Sequence, residues 1–349
     1  MPIVYSLDAS TPVFHSSALK PGSRNDVLIM IPGNPGLVNY YVPYLELIQT
    51  ALPQFEMYGI GYLGYLPPKN NEPQTIYGVE KQIEHKYLII KKIIEQYHHS
   101  GEFGTSGPNL YFLSHSLGSY VTQRTILRLL QDEHLTDKFQ IRFNGMITPT
   151  IYDIASSDSG TAFIRLMQWR VPVVATALTI SSLLAFIPTS VQKWILNNHF
   201  KDPHSDLLLD NGPGQNYALD YAVQTTFELL NNPTAINQSL HMAKEEMSVI
   251  DKSDVVNDWC FTEPQVPFKN WIFFAQSDHW VSDGTRDVLL GKYDNSGEDV
   301  VGEGGKKNLF EICQNTKKPI KHAFCINQTE EFAEITVDRM KSMCPELRS

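Results

Sequence analysis

The sequence is poor in cysteine and in clustered positive charge, and each shortage argues against a class of protein. Four cysteines, at positions 260, 313, 325 and 344, are spread through 349 residues without a Cys-x-x-Cys pair. This usage favours free thiols in a reducing, cytosol-facing location. Lysine and arginine number 28 against 38 acidic residues, so the net charge is −10, and no long basic run occurs. A nucleic-acid partner is therefore not expected.

Signals for secretion, metal binding and phosphate-bearing cofactors are also missing. The N-terminus has no basic stretch followed by an apolar segment, which predicts that there is no secretory signal. The histidines at 98, 99, 199 and 204 lack carboxylates at a zinc-binding spacing. No Gly-rich phosphate loop follows a strand pattern, since Gly302-Glu-Gly-Gly305 has none before it. We expect neither a metal nor a cofactor.

What is present is enough apolar sequence for a sizeable core, in a regular order. Hydrophobic residues make up 42% and charged residues 19% of the chain. Up to about residue 153, short β-rich runs alternate with helical patterns, which predicts a mainly parallel sheet with helices on both faces. The predicted strands lie near residues 27–31, 55–60, 109–113 and 141–147, and the predicted helices near 40–52, 79–98 and 117–130.

The alternation stops after residue 153 and returns near residue 271. Residues 156–260 show helical patterns without convincing strands, which predicts an inserted helical cap. The predicted organisation is a first core part at 1–155, the cap at 156–260 and a second core part at 261–349. The second part is predicted to contain a strand at 271–275, a surface loop at 291–307, a short strand near Lys321–Ile326 and a final helix at about 329–343.

One segment of the cap, residues 171–192, contains no charged residue. Its length approaches that of a bilayer span, but Pro172 and Pro188 bracket a shorter piece. A helix lying in a lipid or membrane surface, an ordinary buried lid helix and a true span all remain open, and the first is favoured. The oligomeric state cannot be predicted.

Ser116 is the candidate nucleophile. It follows a strand pattern and precedes a helical one, in Phe112-Leu-Ser-His-Ser-Leu-Gly118. A strand, sharp turn and helix expose a serine hydroxyl and aim the helix N-terminus at developing negative charge. Ser114 replaces the first glycine of the usual G-x-S-x-G signature, where a small residue suffices. The motif predicts an α/β-hydrolase fold, and His115 is expected to be a packed histidine.

Acyl transfer needs two N–H donors for the oxyanion. One is expected from Leu117, the residue after the candidate nucleophile. The other is expected from Ile31-Pro-Gly-Asn-Pro-Gly36, and most plausibly from Asn34, because Pro35 has no N–H. The alternative is a Gly/Pro turn without a role.

The candidate acid is Asp278, which follows the predicted strand 271–275. The competing carboxylates are Asp153, Asp158 and Asp283. The chain order of the fold, Ser, Asp and then His, makes His322 the candidate base, because it is the sole histidine after His279. His279 would be a base only in an unusual chain order.

These residues resemble the lipid droplet-associated hydrolase family, in a fungal-type form, over about residues 25–343. The matching segments are Ile31–Gly36, Asn39–Tyr41, Leu113–Tyr120, Pro149–Ser156, Ser277–Val281 and His322–Phe324. The resemblance implies a serine hydrolase at lipid droplets or the endoplasmic reticulum membrane, on the cytosolic face, or alternatively in the cytoplasm. It implies neutral-lipid esters as substrates, such as triacylglycerol or sterol esters, and carries over Ser116, Asp278 and His322 as the triad. The competing interpretation is a catalytically weak lipid-droplet surface protein.

Overall fold

The computed structural model describes residues 3–4, 10–20, 25–67, 73–100, 107–168, 173–184, 186–201, 213–294, 307–314 and 319–348. Its centre is one eight-stranded sheet. The strands are β1 Ile3–Val4, β2 Val13–Ser16, β3 Asp26–Ile31, β4 Glu56–Ile60, β5 Asn109–His115, β6 Gln140–Ile147, β7 Lys269–Phe274 and β8 Asn308–Ile312. Their order is β1-β2-β4-β3-β5-β6-β7-β8.

The sheet is parallel except at one edge, where β1 pairs antiparallel with β2 and β2 with β4. In the described part of the chain the helices are α1 Val42–Ala51, α2 Val79–Ser100, α3 Leu117–Gln131, α4 Asp158–Gln168, α5 Val173–Leu184, α6 Thr189–Phe200, α7 Pro213–Leu230, α8 Pro233–Val249, α9 Val255–Thr262, α10 Asp283–Tyr293, α11 Phe324–Asn327 and α12 Thr329–Met343.

Helices cover both faces of the sheet, so its central strands are buried on both sides. One apolar core contains the inner faces of α2, α3 and α10, and the other contains those of α1 and α12. Every residue of β3 is buried. The carboxyl ends of these parallel strands meet at one edge, where open α/β sheets place their ligands.

The structure confirms the strands predicted at 27–31, 55–60, 109–113, 141–147 and 271–275 to within about two residues. Between β6 and β7, the described residues contain helices α4 to α9 and no strand, while the boundaries of the three predicted parts stay predictions.

The predicted strand near Lys321–Ile326 is wrong. Phe324 begins the short helix α11, and the last strand of the sheet is β8, which the sequence analysis assigned to no element. Ile320, Phe324 and Cys325 are all buried in the core beside α1 and α12, and a turn followed by a helix brings them there. Of the predicted loop at 291–307, α10 includes the first three residues, and 295–306 lie outside the described residues.

Helices α5 and α6 contain most of the uncharged segment, although residues 171, 172 and 185 lie outside the described ones. Ser181 is the one buried residue recorded for α5, and Gln192 the one for α6, so the buried-helix interpretation is wrong. Large apolar side chains point outward instead: Leu183 is 59%, Phe186 83% and Trp194 66% exposed. No single helix of the described chain meets the length and hydropathy of a membrane span, while α5 and α6 meet them jointly with a bend of 119° between them.

Candidate active site

Ser116 lies at the turn between β5 and α3 with a backbone conformation that side chains rarely adopt. Its φ is 51° and its ψ is −124°. The surrounding backbone holds this conformation, because Ser116 N–H donates to Ile147 O at 3.0 Å and Ser116 O accepts from Ser119 N–H at 2.9 Å. Strain of this kind is typical of a nucleophile elbow. The Ser116 hydroxyl does not cap α3.

Small residues let the turn form. A Cβ on Gly118 would lie 2.3 Å from Ile31 O, and one on Gly33 would lie 2.9 Å from Ser116 Cβ. Ser114, which replaces the usual glycine, is fully buried, and its hydroxyl donates to Gly145 O at 3.2 Å. A serine therefore fits this position, as the sequence analysis expected.

Asp278 and His322 are in direct contact, although 43 residues separate them in the chain. Asp278 Oδ2 lies 2.7 Å from His322 Nδ1, and Oδ1 accepts from the amides of Trp280 and Val281 at 2.8 and 3.2 Å. Burial raises the pKa of Asp278, but the hydrogen bonds and charge of His322 and these two amides outweigh it, so the pKa lies below its usual value. The carboxylate is therefore ionised at neutral pH and can orient the imidazole.

The competing residues are engaged elsewhere. Asp153 pairs with Lys252 at 3.4 Å, and Asp283 with Arg286 at 2.8 Å. Asp158 lies 3.8 Å from the exposed His279. Of the four candidate carboxylates, Asp278 is the one that contacts His322. No hydrogen bond within the described chain joins the Ser116 hydroxyl to the His322 ring, and such bonds are often long in hydrolases without substrate.

The loop after β3 lies beside Ser116. Gly33 N–H donates to Tyr41 OH at 3.4 Å, whereas Asn34 N–H has no acceptor among the described residues. Leu117 is the first residue of α3, and the first amides of a helix have no intrahelical acceptor. Both predicted oxyanion donors are thus available for a ligand.

The sequence analysis missed a buried carboxyl that reaches this loop from the cap. Asn34 Nδ2 donates to Glu246 Oε1 and to Ser239 O, each at 3.0 Å, and Asn34 Oδ1 accepts from Tyr65 OH at 3.2 Å. Burial raises the pKa of Glu246 to about 8, against the hydrogen bond from Asn34. Nothing local in the sequence signals this contact, because Glu246 and Asn34 are 212 positions apart.

His115 is buried against the same loops, as expected for a packed histidine. Its ring contacts Tyr41, Phe324 and His322. Across the described ranges, no three His, Cys, Asp or Glu side chains are grouped as metal ligands would be. The chemistry available at this site is that of serine, histidine, carboxylate and backbone amides.

Comparison with known proteins identifies the family and the fold. Residues 24–325 match the family model described as lipid-droplet associated hydrolase. A lipid droplet-associated hydrolase of Gallus gallus is 22% identical, over 97% of this chain and 94% of that protein. A solved carboxylesterase structure from Nitrososphaera gargenis has a TM-score of 0.54 at 10% identity, covering 99% of this chain and 100% of that one. A haloalkane dehalogenase from Bradyrhizobium elkani also gives 0.54, at 12% identity, covering 97% and 96%. These structures confirm the α/β-hydrolase fold and, because their reactions differ, the fold alone.

Proposed function

The chain belongs to the lipid-droplet associated hydrolase family, and we propose that it is a serine esterase that cleaves neutral-lipid esters at a lipid surface. The observation that carries the proposal is the 2.7 Å contact between Asp278 and His322. It supports an oriented base, and the carbonyl oxygen of His322 lies 2.8 Å from the ring nitrogen Nε2 of His115, the residue before Ser116.

In the proposed mechanism, Asp278 accepts a hydrogen bond from the Nδ1–H of His322, which leaves the Nε2 lone pair as the base. Nε2 takes the Ser116 proton while Oγ attacks the ester carbonyl. The amides of Asn34 and Leu117 stabilise the oxyanion, aided by the N-terminus of α3. The imidazolium then protonates the departing alcohol. Water attacks the acyl-enzyme next, while Nε2 of His322 takes its proton and passes that proton to Ser116 Oγ as the carboxylic acid leaves.

The arrangement of α5 and α6 supports action at a lipid surface. The buried residues of this hairpin are polar: Ser181 Oγ donates to Leu230 O at 2.6 Å, and Gln192 Nε2 to Leu184 O at 2.8 Å. Its outward residues include Phe186 and Trp194. A helix pair with polar anchors inside and apolar side chains outside suits an apolar surrounding such as a lipid droplet or the cytosolic face of the endoplasmic reticulum.

A substrate panel tests the enzymatic proposal. Purified protein is incubated with emulsified trioleoylglycerol, cholesteryl oleate and a short p-nitrophenyl ester, beside the Ser116→Ala and Ser114→Ala variants. We expect ester cleavage by the native protein and by Ser114→Ala, which loses a buried hydroxyl of the same motif. Equal turnover by Ser116→Ala would refute the triad, and no turnover of any ester would favour the non-catalytic surface protein.

A flotation assay tests the lipid surface separately. The Phe186→Glu, Trp194→Glu double variant should leave artificial lipid droplets while still cleaving the short soluble ester. Val255→Glu is the matched control, since Val255 is 77% exposed on α9, outside the hairpin. Unchanged flotation of the double variant would exclude the hairpin as the lipid contact.

A further inference from the structure

His115 is the residue before the proposed nucleophile, and its hydrogen bonds determine its tautomer. His115 Nε2 lies 2.8 Å from the carbonyl oxygen of His322. A carbonyl only accepts, so Nε2 bears the hydrogen. His115 Nδ1, at 2.7 Å from Tyr41 OH, is then the acceptor of the tyrosine hydroxyl.

The electrostatics of the pair agree with this assignment. Burial, followed by the charge of His322, lowers the pKa of His115 to about 3, so its ring is neutral at physiological pH. Burial raises the pKa of Tyr41, which keeps its hydroxyl protonated. Each group therefore has the one hydrogen that the geometry requires.

These contacts form a continuous chain between the two loops that flank Ser116. Gly33 N–H donates to Tyr41 OH, Tyr41 donates to His115, and His115 donates to the backbone of His322. One end is the loop with the predicted oxyanion donor. The other end is the base itself, whose ring centroid lies 4.9 Å from that of His115.

We propose that His115, held by Tyr41, is a positioning residue that fixes His322 relative to Ser116. The proposal rests on the esterase function proposed above. The base lies in residues 319–323, which precede α11 and, as far as the structure describes them, belong to no helix or strand. A side-chain donor from the strand of the nucleophile therefore sets the position of the base directly. A displacement of about 1 Å at a reacting group costs roughly 100-fold in rate.

The test replaces the donor and then restores it. His115→Leu fills the same space with an apolar side chain and removes the Nε2–H donor to His322 O. His115→Gln supplies a side-chain N–H again, at a similar distance from the backbone. Tyr41→Phe removes only the hydroxyl, which orients His115 and accepts from Gly33 N–H. Tyr44→Phe is the matched control, because Tyr44 is equally buried, packs on Phe324, and loses a 2.7 Å bond to Thr336 instead.

With a soluble ester, we expect His115→Leu to lower kcat about 10- to 100-fold with KM within about twofold. Tyr41→Phe should show a smaller loss, and His115→Gln should recover at least a third of the native kcat. Tyr44→Phe should match the native enzyme. A His115→Leu enzyme within twofold of native kcat, or a Tyr44→Phe loss equal to that of Tyr41→Phe, would overturn the positioning role.

A second readout does not need activity. In protein labelled with ¹⁵N-histidine, His115 should show the Nε2–H tautomer, and Tyr41→Phe should shift the His322 ring resonances while Tyr44→Phe leaves them in place. If the His322 ring resonances do not shift in Tyr41→Phe, the proposal is overturned, even if no ester is cleaved. Native protein that cleaves no ester but shows these shifts would instead refute the esterase function alone.

Discussion

Replacing Glu246 with glutamine should remove a pH-dependent loss of stability. The Glu246 carboxyl, on helix α8 of the cap, is fully buried, and its Oε1 accepts a hydrogen bond from the side-chain amide of Asn34. Burial, opposed by that hydrogen bond and assisted by the charge of Glu245, raises its pKa from 4.5 to about 8. Glutamine offers the same acceptor to Asn34 and has no proton to lose.

The direction in which stability changes with pH depends on which state, folded or unfolded, keeps the Glu246 proton. Between pH 4.5 and 8 the folded state keeps the Glu246 proton and the unfolded state has lost it. Stability therefore falls as the pH rises through this window, by about 1.4 kcal/mol per pH unit, and stays level above it. From pH 5.5 to 7.5, the native protein should lose about 3 kcal/mol more than Glu246→Gln.

Urea unfolding followed by tryptophan fluorescence at pH 5.5, 6.5 and 7.5 measures the difference. Glu228→Gln is the control, because Glu228 is an exposed glutamate on α7 of the same cap. The stability of Glu228→Gln should fall with rising pH as steeply as that of the native protein. Parallel curves for Glu246→Gln and the native protein would refute the reasoning, since Glu246 would then be ionised in the folded state.

Two further predictions concern residues near opposite ends of strand β7. Asp278→Asn removes the carboxylate that orients His322 and should lower kcat by about 10³- to 10⁴-fold in a p-nitrophenyl ester assay, with folding unchanged by circular dichroism; a loss below tenfold would contradict its role. Asn270, the second residue of β7, is the middle member of a ladder of three amide side chains, Asn144, Asn270 and Asn308. It donates to Cys260 O and Asn308 Oδ1 at 3.1 and 2.9 Å. Asn270→Leu leaves these two acceptors without their hydrogen bonds and should lower the free energy of unfolding, measured in urea, by about 3 kcal/mol. Its kcat should stay within about twofold of native, because the site lies at the other end of the strands. An unchanged free energy of unfolding would contradict a stabilising role for the ladder.

Most of the sheet could be predicted because its central strands are buried on both faces and therefore read as continuous apolar runs. Val27–Ile31 is such a run, and all of it is buried. The edge strand β8 is only half buried along its length, so its apolar signal is weak, and it was missed. The nearby segment Lys321–Ile326 was predicted to be a strand, although its apolar residues reach the core through α11.

Some residues of the candidate site could likewise be predicted from the sequence, and others could not. Ser116 and Asp278 could be proposed from their places after strands, because the fold brings the carboxyl ends of parallel strands together, and His322 could be proposed from chain order. Glu246 and Tyr41 could not, since a contact across the cap or between two loops leaves no periodic or local signal. His115 could be predicted to pack, but the direction of its hydrogen bonds required the positions of Tyr41 and the His322 carbonyl.

The most direct test of the central claim is covalent labelling of Ser116. A fluorophosphonate probe, followed by mass spectrometry of the tryptic peptides, locates the modified residue. The account predicts one phosphonylated serine, Ser116, with labelling lost in Ser116→Ala, retained in Ser114→Ala and slowed in Asp278→Asn. Native protein that is not labelled, or an alanine variant at 116 that is labelled as strongly as the native protein, would contradict it.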